Sequence, residues 1–88
     1  MSLKVFRALA NETRYKIIKI LLENDSCLGN LSRFFNKDFS VLYRHVKELE
    51  EAGLVEVKKV GRLSIICIKN KDIIRKLVDL ASQIEKQD

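Results

Sequence analysis

The segment from Asp38 to Ala52 concentrates side chains that can do recognition chemistry. At helical spacing, Leu42, Val46 and Leu49 fall on one face, with Phe39 at its edge, and Ser40, Val41, Tyr43, Arg44 and Lys47 fall on the other side. The second set has little to bury but can hydrogen-bond, stack and carry positive charge. Near a helix N-terminus, such groups suit the major groove of double-stranded DNA, where base edges present donors and acceptors. Glu48, Glu50 and Glu51 gather in the C-terminal half, where phosphate would repel them. The N-terminal half is therefore the end expected to face DNA. Lys58, Lys59 and Arg62 surround Gly61, with Glu56 as the nearby acid, and Arg33 and Lys37 precede the helix. These cations suit phosphate contacts, which position a protein on the duplex without reading it.

Other chemistry is thinly represented. There is no acid/base pair, no nucleophile with its base and no glycine-rich phosphate loop, so an enzyme is not expected. His45 is the single histidine, with no second imidazole and no nearby cysteine, so neither catalysis nor metal binding is expected of it. Tyr43 can stack on a sugar or donate to phosphate; the competing reading packs it under the hairpin. Cys67 alternates with Ile66 and Ile68 and reads as a small packed side chain. Cys27 precedes a helix start, a place where a thiol can gain redox reactivity, but a structural thiol is the favoured reading. Two cysteines do not make a disulfide framework. No metal and no cofactor is expected.

Eighty-eight residues make one small domain, read as 1–88, near the size at which a single core is marginal and dimerisation adds stability. Seventeen Lys and Arg against twelve Asp and Glu give a net charge of +5, which favours polyanion partners. A hydrophobic share of 47% with no proline argues against a disordered tail. No apolar run is long enough to span a membrane, and Met1 to Lys4 does not begin a signal peptide, so a cytoplasmic protein is expected.

The positioning elements follow from periodicity and caps. Leu3 to Leu9 is a short helix. Asn11 caps a second, whose inward stripe is Tyr15, Ile18, Leu21 and Leu22, broadened by Ile17 and Ile20. A third covers roughly Leu28 to Phe35 and buries Leu31, Phe34 and Leu28. Asn36-Lys37 turns into the helix of about 38–52, which Gly53 ends in the left-handed conformation. Val55–Val60 and Leu63–Lys69 are strands around Gly61-Arg62, a loop suited to a type II′ turn. That register puts Val55, Val57, Ile66 and Ile68 on one face. The last helix, about Lys71 to Lys86, carries Ile73, Leu77, Leu80 and Ile84 as a coiled-coil-like seam. With Leu3, Val5 or Phe6 of the first helix, that seam is expected to form a homodimer.

The fold class is mainly α (α+β), with the order helix, helix, helix, helix, strand, strand, helix: a winged helix-turn-helix. Three segments resemble the ArsR/SmtB family of repressors. Phe6 to Arg14, "FRALANETR", is similar to that family's opening segment. Ser40 to Leu49 followed by Glu51 to Val55, "SVLYRHVKEL" and "EAGLV", is similar to its recognition helix. Val57 to Arg62 with the strand after it is similar to its wing. The resemblance implies a homodimer that binds an operator and represses transcription. The family's metal chemistry does not carry over: Cys27 matches the first thiolate of a Cys-x-Cys pair, but Gly29 stands at the second. The last helix has Asp72, Asp79 and Glu85 but no histidine, and a tetrahedral zinc site needs about four ligands. A protein-binding winged helix without specific DNA binding is the alternative function; it would carry apolar or acidic residues where Ser40, Tyr43, Arg44 and Lys47 stand. The sequence specifies no operator, regulated gene or effector.

Overall fold

The computed structural model describes residues 3–86. Its helices are α1 (Leu3–Leu9), α2 (Glu12–Glu23), α3 (Leu28–Phe35), α4 (Phe39–Glu51) and α5 (Lys71–Glu85); its strands are β1 (Ser26–Cys27), β2 (Val55–Val60) and β3 (Leu63–Ile68). The chain has the expected winged helix order with one element added, the short β1.

Local chemistry accounts for most boundaries. The Asn11 side chain accepts from the Arg14 N–H at 3.0 Å, and Asn70 accepts from the Ile73 N–H at 3.2 Å, capping α2 and α5. Both ends of the α3–α4 pair close by the same device. Lys37 N–H donates to the Ser32 carbonyl and Asn36 N–H to that of Arg33, around Asn36 at φ 52. Leu54 N–H donates to the Leu49 carbonyl and Gly53 N–H to that of Glu50, around Gly53 at φ 84. A left-handed residue with these paired bonds satisfies carbonyls that a helix end otherwise leaves free.

β2 and β3 pair antiparallel from Val55↔Ile68 to Val60↔Leu63, closing the hairpin over Gly61 and Arg62. Gly61 has φ 59 while Arg62 is not in the left-handed region, the combination a type II′ turn requires. Val55 lies opposite Ile68 and Val57 opposite Ile66, as the alternation predicts. Ser26 and Cys27 pair with Ile66 and Ile65, so β3 is the middle strand of the order β1-β3-β2.

The core lies between the helices and the inner face of this sheet. Ile17, Ile18 and Leu21 of α2 are fully buried, as are Leu42 and Leu49 of α4 and Ile66 of β3. Ile17 is central rather than peripheral, and Tyr15, expected in the stripe, is only half-buried. In α3, Leu28 and Leu31 are buried as expected, but Phe34 is 70% exposed. Phe35 packs on the core in its place, because four residues beyond Leu31 stays closer to the buried face than three at this helix end. The two rings meet edge to face, 5.0 Å apart.

Helix α5 packs on its own chain through Ile74 and Val78. The Arg75 guanidinium also donates to the Leu22 carbonyl at 2.8 Å, tying α5 to the end of α2. The expected seam points elsewhere: Ile73, Leu80 and Ile84 are exposed and Leu77 is half-buried. Among the described residues no helix is long and apolar enough to cross a membrane.

Candidate nucleic-acid interface

Helix α4 is split lengthwise. Leu42, Val46 and Leu49 are at most 1% exposed, which fixes the helix into the core by one side. On the opposite side Ser40, Tyr43, Arg44 and Lys47 are exposed, and Val41 is half-buried on one flank. Lys47 pairs with Glu50 at 3.6 Å, within the C-terminal half. Both partners are well exposed, and such a surface pair contributes little to stability. Among the described residues Arg44 forms no ion pair, so its fork is free for an external acceptor. Asp38 holds the N-cap position without a side-chain bond to the first turn.

Phe39, read from the sequence as the edge of the buried face, is 56% exposed. It sits beside Ser40 and Tyr43 and widens the exposed N-terminal surface of α4 with an aromatic ring. Tyr43 is 49% exposed and so is not packed under the hairpin.

The basic residues outside α4 fall in two places. Lys58, Lys59 and Arg62 are exposed on the outer half of the β2–β3 hairpin, beyond the half-buried Glu56. Arg33 and Lys37 are exposed at the end of α3 and the turn after it; the Arg33 guanidinium donates to the Asn30 side-chain oxygen one turn earlier.

His45 is half-buried on the flank of α4 that meets α1 and α2. The Arg14 guanidinium reaches its Nδ1 at 3.3 Å. Arg14, Val41, Arg44, His45 and Glu48 line a cleft of about 440 Å³ there. Burial, followed by the charges of Arg14, Lys37 and Arg44, pushes the His45 pKa below its usual 6.5, and Glu48 opposes this. The role of Arg14 was not read from the sequence; its place one turn into α2 gives no local sign of a partner thirty-one residues away.

The cysteines are separate. The Cys27 sulfur accepts from the Asn30 N–H at 3.4 Å as the cap of α3, and Cys67 is buried in β3 with its sulfur 3.9 Å from the Glu56 carbonyl. Among the described residues, no three His, Cys, Asp or Glu side chains converge as a metal site would require.

Helices α1 and α5 both carry exposed apolar side chains. Leu3 and Phe6 are 51% and 57% exposed, against 60%, 56% and 69% for Ile73, Leu80 and Ile84. Between the two helices a groove of about 400 Å³ is lined by Phe6, Leu9, Tyr15, Leu77 and Ala81.

A helix-turn-helix of α3 and α4, followed by a basic β-hairpin, defines a winged helix-turn-helix protein. The family described as "Bacterial regulatory protein, arsR family" matches residues 11–57, and the chain belongs to it. The match begins at the cap of α2 and runs through α4 into β2. A putative arsenical resistance operon repressor ArsR of Halobacterium salinarum is 42% identical over 60 residues, which is 66% of this chain and 46% of that protein. HlyU from Vibrio cholerae N16961 superposes with a TM-score of 0.81 at 26% identity, over 97% of this chain and 91% of that one. A homodimeric winged helix-turn-helix DNA-binding domain from Mycobacterium bovis shares the fold, with a TM-score of 0.84 at 22% identity over 96% of this chain and 80% of that one. The chain spans less than half the length of the first curated relatives it matches, 14% of one and 46% of the other.

Proposed function

We propose that the chain is a sequence-specific double-stranded DNA-binding regulator that acts in the cytoplasm as a homodimeric repressor. The observation that carries this reading is the N-terminal half of α4. There Ser40, Tyr43 and Arg44 stand exposed, in no ion pair among the described residues, on a helix whose other side is anchored by Leu42, Val46 and Leu49. Such a helix presents its first turns to the major groove, where an arginine fork can take two acceptors of one guanine. The hairpin with Lys58, Lys59 and Arg62 follows the backbone or the minor groove, and Arg33 and Lys37 hold phosphates beside the helix.

The dimer places α1 and α5 of each copy against those of the other, through Leu3, Phe6, Ile73, Leu77, Leu80 and Ile84. Its support is the set of exposed apolar side chains on α5 and on α1, with Phe6 and Leu77 lining one groove, together with the Mycobacterium bovis domain described as a homodimer. Selection of duplexes from a random pool, followed by footprinting, tests the whole reading. The expected result is a two-fold symmetric site with half-sites about 10–10.5 base pairs apart or a multiple of this. A pool that shows no enrichment refutes it.

A further inference from the structure

Arg14 joins three elements through one side chain. From the first turn of α2, its Nε donates to the Ala8 carbonyl at 2.7 Å and its second terminal nitrogen to the Arg7 carbonyl at 3.3 Å, both at the end of α1. The remaining terminal nitrogen reaches His45 Nδ1 on α4 at 3.3 Å. Among the described residues this is the one side-chain hydrogen bond that joins α4 to another element. An arginine can only donate, so Nδ1 must accept, and the ring carries its single proton on Nε2. The bond therefore exists for the neutral ring alone.

Apolar packing through Leu42, Val46 and Leu49 sets the depth of α4 and the face it buries, and a directional hydrogen bond at its flank adds a finer restraint on rotation about the helix axis. His45 follows Arg44 directly, so whatever fixes the ring also fixes the direction in which the Arg44 side chain leaves the helix. Bidentate recognition tolerates errors of only about 0.5 Å and 10–20°. Resting on the reading that α4 reads bases, we propose that Arg14 is a positioning residue. With neutral His45 it sets the rotation of α4, and protonating His45 costs the protein sequence discrimination.

The groups facing the ring are consistent with this. Arg14 comes from α2, Lys37 from the turn before α4, and Arg44 and Glu48 from α4 itself; α1 presents the two carbonyls that hold Arg14 in place. Burial and the three cations favour the neutral ring, so the latch is closed near neutral pH. Protonation removes the acceptor and sets a second cation against Arg14. It also adds a positive charge beside the DNA face, so affinity for unrelated duplex holds or rises while affinity for the preferred site falls.

The test uses a duplex selected by the wild-type protein from a random pool and a scrambled duplex. Both are titrated by fluorescence anisotropy at constant ionic strength, from about pH 7.5 down to the pH at which the His45 resonance shows the ring protonated, below the usual histidine range because its pKa is lowered. The wild-type affinity ratio should fall about fivefold or more, the factor set by one lost hydrogen bond. His45→Gln, which keeps an acceptor and cannot titrate, should give a flat ratio. Arg14→Lys, which cannot span three acceptors, should lower the ratio already at the higher pH. The single histidine gives one imidazole resonance to follow by NMR, and Arg14→Gln should raise its pKa toward 6.5, which a merely structural arginine far from the ring would not do. Circular dichroism checks folding, and if a variant fails to fold, the wild-type pH profile and its histidine titration still decide. A wild-type ratio constant with pH, or a His45→Gln profile that follows the wild type, overturns the latch. Arg44→Ala separates the two failures. If it abolishes discrimination while pH does not alter it, only the latch falls; if it leaves discrimination unchanged, the reading of α4 falls and the latch with it.

Discussion

Leu80→Ala and Leu80→Glu probe the dimer without attacking the core. Leu80 is 56% exposed in the single chain, so its own fold uses less than half of the side chain. Full burial of a leucine contributes about 1.5–3 kcal/mol, which leaves about 1–1.5 kcal/mol per copy to be gained at an interface. In a symmetric contact each copy contributes once, giving about 2–3 kcal/mol per dimer. At about 1.4 kcal/mol per tenfold, Leu80→Ala should raise the dimer dissociation constant roughly 30- to 150-fold. Leu80→Glu should do more, because each copy would bring an unpaired carboxylate into an apolar seam. Both variants should keep wild-type helix content, since Ile74 and Val78 rather than Leu80 join α5 to the core. Sedimentation equilibrium over a concentration series, with circular dichroism in parallel, measures both quantities. A folded wild-type monomer at high micromolar concentration would refute the reasoning, as would a Leu80→Glu protein that dimerises as tightly as wild type.

Other consequences are equally open to measurement. Because the folded pKa of His45 lies below 6.5, the unfolded chain takes up the proton first; stability is full above about pH 6.5 and declines as pH falls toward the lowered folded value. Urea unfolding at several pH values should show this decline and His45→Gln should lose it; an unchanged decline in the variant contradicts the assignment. Gly53→Ala should cost about 1–2 kcal/mol, since φ 84 strains any L side chain even though the space around it is open. Gly29→Ala should instead stabilise by roughly 0.5 kcal/mol, because Gly29 is helical and its added Cβ meets only the Arg33 side chain at 3.8 Å. Thermal or urea unfolding separates the two signs. Operator binding should be indifferent to transition-metal chelators; stoichiometric zinc uptake lost in Cys27→Ser would show that ligands had been overlooked.

The parts of the fold legible in the sequence are those encoded by near neighbours. Asn11, Asn36 and Gly53 mark helix ends through bonds made within a few residues, and the alternation of Val55 and Val57 with Ile66 and Ile68 defines the hairpin register. The division of α4 into a buried and an exposed side was legible for the same reason, as the two sets repeat at helical spacing, although Phe39 falls on the exposed side. The misses involve partners distant in sequence or segments too short to repeat. β1 is two residues long and has no periodicity to read. In the eight-residue α3, Phe34 and Phe35 fit the stripe almost equally until the sheet and α4 choose between them. The seam of α5 stands out in the sequence by its four-three-four spacing, yet the residues that hold α5 to its own chain are Ile74 and Val78, one position along. The link from Arg14 to His45 depends on α1, α2 and α4 meeting at one corner, which no local pattern records.

The central claim is that the N-terminal half of α4 reads sequence while the hairpin supplies affinity. It is tested most directly by a salt series on selected and scrambled duplexes, comparing wild type, Arg44→Ala and Arg62→Ala by fluorescence anisotropy. A bidentate arginine–guanine contact gives about 1–3 kcal/mol of discrimination, so Arg44→Ala should weaken binding to the selected duplex roughly 5- to 150-fold more than to the scrambled one. Arg62→Ala should weaken both by similar factors and reduce the slope of log K against log salt by about 0.9. An Arg44→Ala protein whose ratio of the two affinities equals that of wild type would contradict the account.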